Sequence, residues 1–393
     1  MDCMGAHGRV KKRFCLLAGF IFIIFAASIL CASLALGQGP AVNPAEAIGK
    51  IRERCMAILA QAFASEDPFI RSAAVRAAGE SQDPALLLLL KKGSKDFYAT
   101  ARLFALQGIQ KISPAEAYLV AKALVQDKDG WVKSAALAAL GDLGDKKTIP
   151  IVKPFLQETD PMVRMAAAFA LYKLGDEGYL SHITSSLRKG DVVNRYQAIS
   201  YLGEIGSAKA IANLVGMFDD ERGEVAAYSL KAIGENANIE MLGSLKKLTR
   251  SQNPSVRHNA ALALGYLPAI ASLDIVRNLC ADADAFVRLS AAISLYRLGS
   301  EACQDIFAEL LDNKDFNVRS SAARVMGETP LPNRMKLLAK ALGDPNSRVR
   351  TAAVRAVGAA GGAEAFYLLA QMLDDSQEAI RSYAAGNMVR LLK

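Results

Sequence analysis

An arginine recurs through most of this chain at a fixed interval, and few folds can accommodate such a rhythm. Arg164, Arg195, Arg257, Arg288, Arg319, Arg350 and Arg381 are separated by 31, 62, 31, 31, 31 and 31 residues. The 62 is a doubled step over Ala226, where the phase is kept and the arginine is lost. Lys133 lies 31 before Arg164, and Arg71 lies 62 before Lys133. Thr100 stands between those two, two residues short of the midpoint, so one unit reads as short and the next as long. Self-similarity at a period of about 20–50 residues marks a solenoid or array, in which each unit buries its apolar face only against its neighbours. Eleven units therefore replace the two or three domains that 393 residues would otherwise suggest.

Each unit has the same internal grammar. Four residues before the recurrent position stands Asp67, Asp96, Asp129, Asp160, Asp191, Asn253, Asp284, Asp315 or Asn346. Asp and Asn cap helices because their side-chain oxygens accept the backbone N–H groups left orphaned in the first turn. Pro68, Pro161 and Pro254 follow directly, at the first helical position, where proline is tolerated. An alanine three residues after the arginine (Ala74, Ala136, Ala167 and their counterparts) implies close approach of a neighbouring helix. A glycine follows about eight after it, at Gly79, Gly108, Gly141, Gly203, Gly234, Gly265, Gly327 and Gly358, permitting tight packing or beginning helix termination. A second amphipathic helix then runs, for example over Ile149 to Leu156. The unit is helix, turn, helix, turn, without strands. Pro44 to Ala64 read as a leading helix that caps the stack, and the last unit ends after one helix at Lys393.

The pattern Asp-Pro-x-Val-Arg-x-Ala-Ala resembles the short HEAT repeats of the type found in phycobilin lyases. It stands nearly complete at Asp160-Pro161-Met162-Val163-Arg164 with Ala166-Ala167, and at Asn253-Pro254-Ser255-Val256-Arg257 with Ala260-Ala261. The resemblance covers residues 44–393 and implies an all-α fold: a right-handed α-solenoid of about eleven two-helix HEAT-like repeats. It also implies that the arginine is structural first, forming a ladder with an aspartate of the next unit. Asp127, Asp220, Asp282, Asp344 and Asp375, each six before the recurrent position, can supply that partner.

Residues 1–37 read as a signal peptide or signal anchor, and 38–43 as a short linker. Arg9, Lys11, Lys12 and Arg13 precede an uncharged apolar run from Phe14 to Leu36. Basic residues stay cytoplasmic, so the remainder is expected on the other side of the membrane, in the periplasm or otherwise extracytoplasmic. Ala35-Leu36-Gly37 fits cleavage before Gln38. The run is also long enough to span a bilayer, so residues 14–36 could instead remain as a tether. A lipid anchor at Cys31 is a weaker third option, because Leu30 is bulky. Of the cysteines beyond this segment, Cys55, Cys280 and Cys303 read as small buried hydrophobes. Cys280 and Cys303 lie at different phases of successive repeats and are not predicted to pair.

The formal charge of +8 is a modest surplus on so long a surface and does not argue for nucleic acid. The iron site of the hydroxylases that share this repeat type uses His-Glu pairs, and no His-Glu dipeptide occurs here; His7, His182 and His258 are isolated. No metal, cofactor or catalytic group is assigned, and no phosphate loop or nucleophile motif is present. Two residues before the arginine, successive units read Phe69, Tyr98, Trp131, Met162 and Val193. Five large apolar residues on one rim exceed what solubility needs, and such patches mark interfaces or staple helix starts to neighbouring turns. One turn further, Arg76, Lys231, Arg324 and Arg355 alternate with Glu80, Asp142, Glu204, Glu235 and Glu328, as on a solvated face. Arg348, Arg350 and Arg355 make a small basic group. The expectation is a non-enzymatic scaffold that binds a protein or peptide on its concave face, with Phe69, Tyr98, Trp131, Met162 and Val193 as the contact row. A phycobilin-lyase-like enzyme or cofactor-handling protein is the alternative.

Overall fold

A computed structural model describes residues 44–189 and 191–393, so the signal or anchor segment and the linker lie outside the described residues. Helices follow one another throughout, and no strand occurs among the described residues. The fold is the expected all-α right-handed solenoid of two-helix units. Eight of the nine predicted caps form as such. Asp67 accepts from the Phe69 N–H, Asp160 from Met162 and Asn253 from Ser255, each starting a helix at the following residue.

The helices that carry the recurrent arginine make one layer. They are Pro68–Ser81, Ala99–Ile112, Gly130–Asp142, Pro161–Lys173, Val192–Ile205, Gly223–Ile233, Pro254–Leu264, Ala285–Arg297, Phe316–Val325, Ser347–Ala360 and Glu378–Leu391. We call these the inner helices. The second layer is built from the helix preceding each of them, beginning with Pro44–Phe63 and ending with Gly362–Met372. The core lies between the layers. Its anchors are side chains such as Leu90, Ile109, Leu140, Ile183, Phe169 and Phe307, all shut off from solvent.

The arginine holds the units together in one repeated geometry. Arg257 donates from Nε and Nη2 to the two carboxylate oxygens of Asp282, both at 2.8 Å, in the bidentate fork that suits a guanidinium. Its Nη1 turns back to the carbonyls of Ser251 and Gln252, at the end of the preceding outer helix. The same carboxylate also accepts the Asp284 N–H. Arg71 with Asp96, Arg102 with Asp127, Arg319 with Asp344 and Arg350 with Asp375 repeat the fork. Arg195 pairs with Asp220 and Lys133 with Glu158. All five predicted ladder aspartates are therefore engaged.

Arg102, not Thr100, occupies the recurrent position of the second unit: it lies 31 after Arg71 and 31 before Lys133, and it makes the ladder bonds. The period is unbroken. Asp96 is the ladder carboxylate there rather than the cap, and the cap position falls to Tyr98, whose phenol makes no capping bond.

The array also closes on itself. The last inner helix, Glu378–Leu391, packs against the first, Pro68–Ser81, and against the leading helix Pro44–Phe63. Cys55, Leu59 and Val75 share one apolar core with Ile380, Ala384 and Met388. Arg355 reaches Glu80 (Nε–Oε2 3.1 Å), Arg54 pairs with Asp374, and Lys393 Nζ donates to the Gln82 carbonyl at 2.7 Å. Gly386 permits this contact, since a Cβ there would lie 2.5 Å from the Ala77 carbonyl oxygen. The expected solenoid with a concave face is thus closed into a ring whose inner helices face a lumen. The leading helix is not a cap with a free side; it is half of the seam.

Cys280 and Cys303 are joined as a disulfide with Cα atoms 6.3 Å apart, against the expectation that they stay unpaired. Phase within the repeat misled here. Cys303 has φ +66, in a turn that brings its side chain back to the short helix end carrying Cys280. Cys55 is free and buried as expected, and burial pushes its thiol up to about 11.

Candidate functional site

All inner helices start at the same edge of the ring, so residues near their N-termini form one rim. Of the five predicted contact residues, Phe69, Trp131 and Val193 are exposed on it, at 69%, 53% and 50%. Met162 is buried at 8% and leaves the row. Its side chain lies against the core, where Val163 and Met165 of the same helix are also enclosed. Tyr98 is half-buried and sits two positions earlier in its unit than the others, as the corrected register requires. Its ring nevertheless meets Phe69 edge-to-face with centroids 5.6 Å apart.

The residue that sequence reasoning missed is Phe97, the most exposed aromatic on this rim at 83%. It lies in a turn, five before Arg102. Other units carry Glu66, Lys128, Thr159, Glu221, Gln252 or Lys314 at that position, so a large apolar side chain there is the signal that could have found it. Lys128 extends over the Phe97 ring at 4.5 Å from the centroid. Phe69, Phe97, Tyr98 and Trp131 thus stand at or just before the starts of three successive inner helices and line one edge. Val193 stands apart from it, two units beyond Trp131. Asp67 Oδ1 accepts the Phe69 N–H, and Asp129 Oδ1 accepts the Trp131 and Val132 N–H groups.

The charged positions one turn further are not a uniform solvated face. Some of them pair across units: Lys173 bridges Asp142 at 3.0 Å and Glu204 at 3.6 Å, and Arg355 meets Glu80. The expected basic group of Arg348, Arg350 and Arg355 is dispersed. Arg350 belongs to the ladder, Arg355 to the seam, and Arg348 lies over the Phe316 ring. Among the described residues, no group of three or more His, Cys, Asp or Glu side chains could hold a metal ion. No helix among them is long and apolar enough to cross a membrane.

Packing of the inner helices depends on the eighth residue after the arginine. Where it is glycine within the helix, as at Gly79, Gly141, Gly203, Gly265, Gly327 and Gly358, the next helix comes into contact with it; Gly234, at the end of its helix, is the exception. A Cβ on Gly141 would lie 2.6 Å from Ala170 Cα, and one on Gly327 would lie 2.9 Å from Ala356 Cα. Where it is Gln110, Tyr172 or Tyr296, the two inner helices separate and make far less mutual contact.

A family model for HEAT repeats matches residues 118–194, 241–316 and 304–389, together more than half of the chain. Among curated proteins, no sequence matches. Among solved structures, an engineered protein is similar at 18% identity over 87% of this chain and 98% of its own, with a TM-score of 0.32. Human deoxyhypusine hydroxylase, in complex with glycerol, is similar at 23% identity over 63% of this chain and 98% of its own, with a TM-score of 0.31. Kap121p bound to Nup53p is similar at 14% identity over 84% of this chain and 44% of its own, with a TM-score of 0.38. Recurrent arginine, capping pattern, two-helix unit and family match agree: the chain belongs to the HEAT-repeat family.

Proposed function

We propose that this protein is a non-enzymatic interaction scaffold that works outside the cytoplasmic membrane and captures a protein or peptide on the aromatic edge of its ring. The observation that carries the reading is the exposure of Phe69, Phe97 and Trp131 on adjacent turns of a surface otherwise rich in charge. Large aromatic side chains are removed from water only when a partner covers them, and they are enriched at such contacts. Export is supported by the basic residues before the 14–36 apolar run and by the Cys280–Cys303 disulfide, which suits an oxidising compartment. Export ends either in release by cleavage before Gln38 or in tethering through residues 14–36.

The test compares the wild-type protein with a Phe97→Ser, Trp131→Ser double variant as bait for an envelope fraction. Phe97 lies in a turn and Trp131 is exposed in the first turn of its helix, so far-ultraviolet circular dichroism should be unchanged. Recovery of the partner is expected to fall about tenfold or more, as for loss of aromatic hot spots. Equal recovery by both baits would place the contact elsewhere. A tetrapyrrole carried through purification would favour the phycobilin-lyase alternative.

A further inference from the structure

One unit departs from the ladder, and a cleft opens where it does. At Ala226 the recurrent position keeps its phase and has no arginine. Elsewhere the arginine makes two kinds of contact. Its Nη1 donates to the carbonyls six and five residues before it, and eight arginines from Arg71 to Arg381 make this clip. Where an aspartate stands 25 residues on, Nε and Nη2 fork onto its carboxylate, as Arg257 does onto Asp282.

The clip does not depend on the fork. The residues 25 after Arg164 and Arg288 are Lys189 and Asn313, and both arginines still donate to their pair of carbonyls. Arg288 turns its Nη2 to Glu309 instead. Lys133, the one lysine at a recurrent position, reaches Glu158 and makes no clip. A guanidinium keeps one amino group on both carbonyls while its other N–H donors face outward, and a single ammonium does not divide its bonds that way.

At Ala226 the equivalent carbonyls are those of Asp220 and Glu221. Among the described residues, neither accepts a hydrogen bond. Ser251 takes the place of the ladder aspartate. Its Oγ accepts the Asn253 N–H at 3.2 Å, as the Asp282 carboxylate accepts that of Asp284, but it brings no charge. Asp220, Glu221, Ala226, Ser251 and Asn253 together line a cleft of about 920 Å³. Asp220 is paired with Arg195 and Asp219 with Lys247, whereas the Glu221 carboxylate has no ion-pair partner among the described residues. Lys246 and Arg250 also line the cleft, so a second positive charge beside the first is repelled.

We propose that this cleft seats the side chain of a single arginine presented by an extended segment of a partner protein. Its guanidinium donates to the Asp220 and Glu221 carbonyls as the ladder arginines do within their own units, with the Glu221 carboxylate nearby. The cleft holds far more than one side chain, which leaves room for the flanking backbone of the segment. The proposal rests on the reading of this protein as a scaffold for a protein or peptide, and it is independent of the aromatic edge.

Titration calorimetry with the purified full-length protein tests this, using acetyl-Ala-Ala-Arg-Ala-Ala-amide, the same peptide with Lys or Gln in place of Arg, and free L-arginine. The Arg peptide should bind about tenfold or more tightly than the Lys and Gln peptides, as charge-assisted bonds from a fork of donors allow. It should also bind more tightly than L-arginine; equal binding would assign a small guanidino compound and overturn the peptide source. Ala226→Arg supplies the side chain from within, as eight other units do. It should melt no lower than wild type and weaken the Arg peptide about tenfold or more. Ser251→Asp completes the fork and should strengthen the Arg peptide about tenfold. The Phe97→Ser, Trp131→Ser variant should bind the Arg peptide like wild type. The proposal is overturned if the Arg peptide does not bind, if the Lys or Gln peptide binds as well, if Ala226→Arg binds like wild type, or if Ser251→Asp brings no gain. Partner recovery that still depends on Phe97 and Trp131 would, in that event, leave the scaffold reading standing.

Discussion

At the residue scale the protein rests on one side chain used many times. Arg71, Arg102, Arg257, Arg319 and Arg350 each satisfy two carbonyls of the preceding turn and the carboxylate of the next, as Arg319 does with Asn313, Lys314 and Asp344, so they join units that the outer helices alone would leave loosely apposed. Arg319 and Asp344 are 15% and 9% exposed, which makes the pair sensitive to losing one member. Arg319→Ala is expected to cost roughly 3 kcal/mol in urea unfolding, since it strands a largely buried carboxylate. The pairing also has a pH signature. The Arg257 guanidinium holds the Asp282 carboxyl below its usual range, and Arg319 does the same for Asp344. Their folded-state values lie below the unfolded one of about 3.9, so this stabilisation is complete above that pH and is lost as pH falls through the folded-state values. The unfolding midpoint should therefore fall steeply with acid below that point, and the fall should be shallower in Arg319→Ala than in wild type.

At the element scale, the spacing of the inner helices follows from the size of one side chain per unit. Glycine lets backbones approach, and tyrosine or glutamine holds them apart. Gly141→Val would drive a branched side chain into Ala170 and is expected to cost about 2 kcal/mol by overpacking, read as a lower denaturant midpoint. The joint at Tyr296 lacks both the glycine and the ladder carboxylate, and the Cys280–Cys303 bridge lies beside it, across a sequence separation of 23. Cys280→Ser is expected to lose about 3 kcal/mol, from loop-closure entropy returned to the unfolded state. If unfolding of this variant matches wild type in oxidising buffer, the bridge carries no stabilisation. The aromatic edge belongs to this scale too, because Phe97 reaches it only through the turn between two helices.

At the scale of the whole molecule, the finding is closure. Eleven inner helices spaced about 8–10 Å apart give a ring of roughly 15 Å radius to the helix axes and a lumen on the order of 20 Å across. The seam is not a copy of the other joints. Gly386, five after Arg381, takes the role that the eighth residue plays elsewhere, so the two ends meet shifted by about one helical turn. Arg355 spans over the last helix to Glu80 and rests on the Tyr383 ring. Gly386→Leu should part the ends and raise the radius of gyration in small-angle scattering. Gly327→Leu, at an interior joint, should lower stability with little change in that radius. Identical scattering from Gly386→Leu and wild type would mean that the ends do not meet in solution.

The sequence by itself determined the unit. A cap, a proline, an arginine and an alanine at fixed offsets specify a helix pair and its bond to the next pair, because each of those interactions is local or between nearest neighbours. The ladder partners Asp127, Asp220, Asp282, Asp344 and Asp375 were readable for that reason. The register of the second unit was readable too, through Arg102, but Asp96 resembled a cap closely enough to hide it. Within the contact row, exposure at Phe69, Trp131 and Val193 followed from helix phase, whereas burial of Met162 and prominence of Phe97 depended on how neighbouring turns pack. Only the tertiary structure decided that the ends join, that Cys280 meets Cys303, and that a cleft opens beside Ala226. Closure requires about 33° of rotation per unit summed over eleven joints, and small differences at each joint accumulate. Such a sum is a property of the whole molecule, and no single repeat contains it.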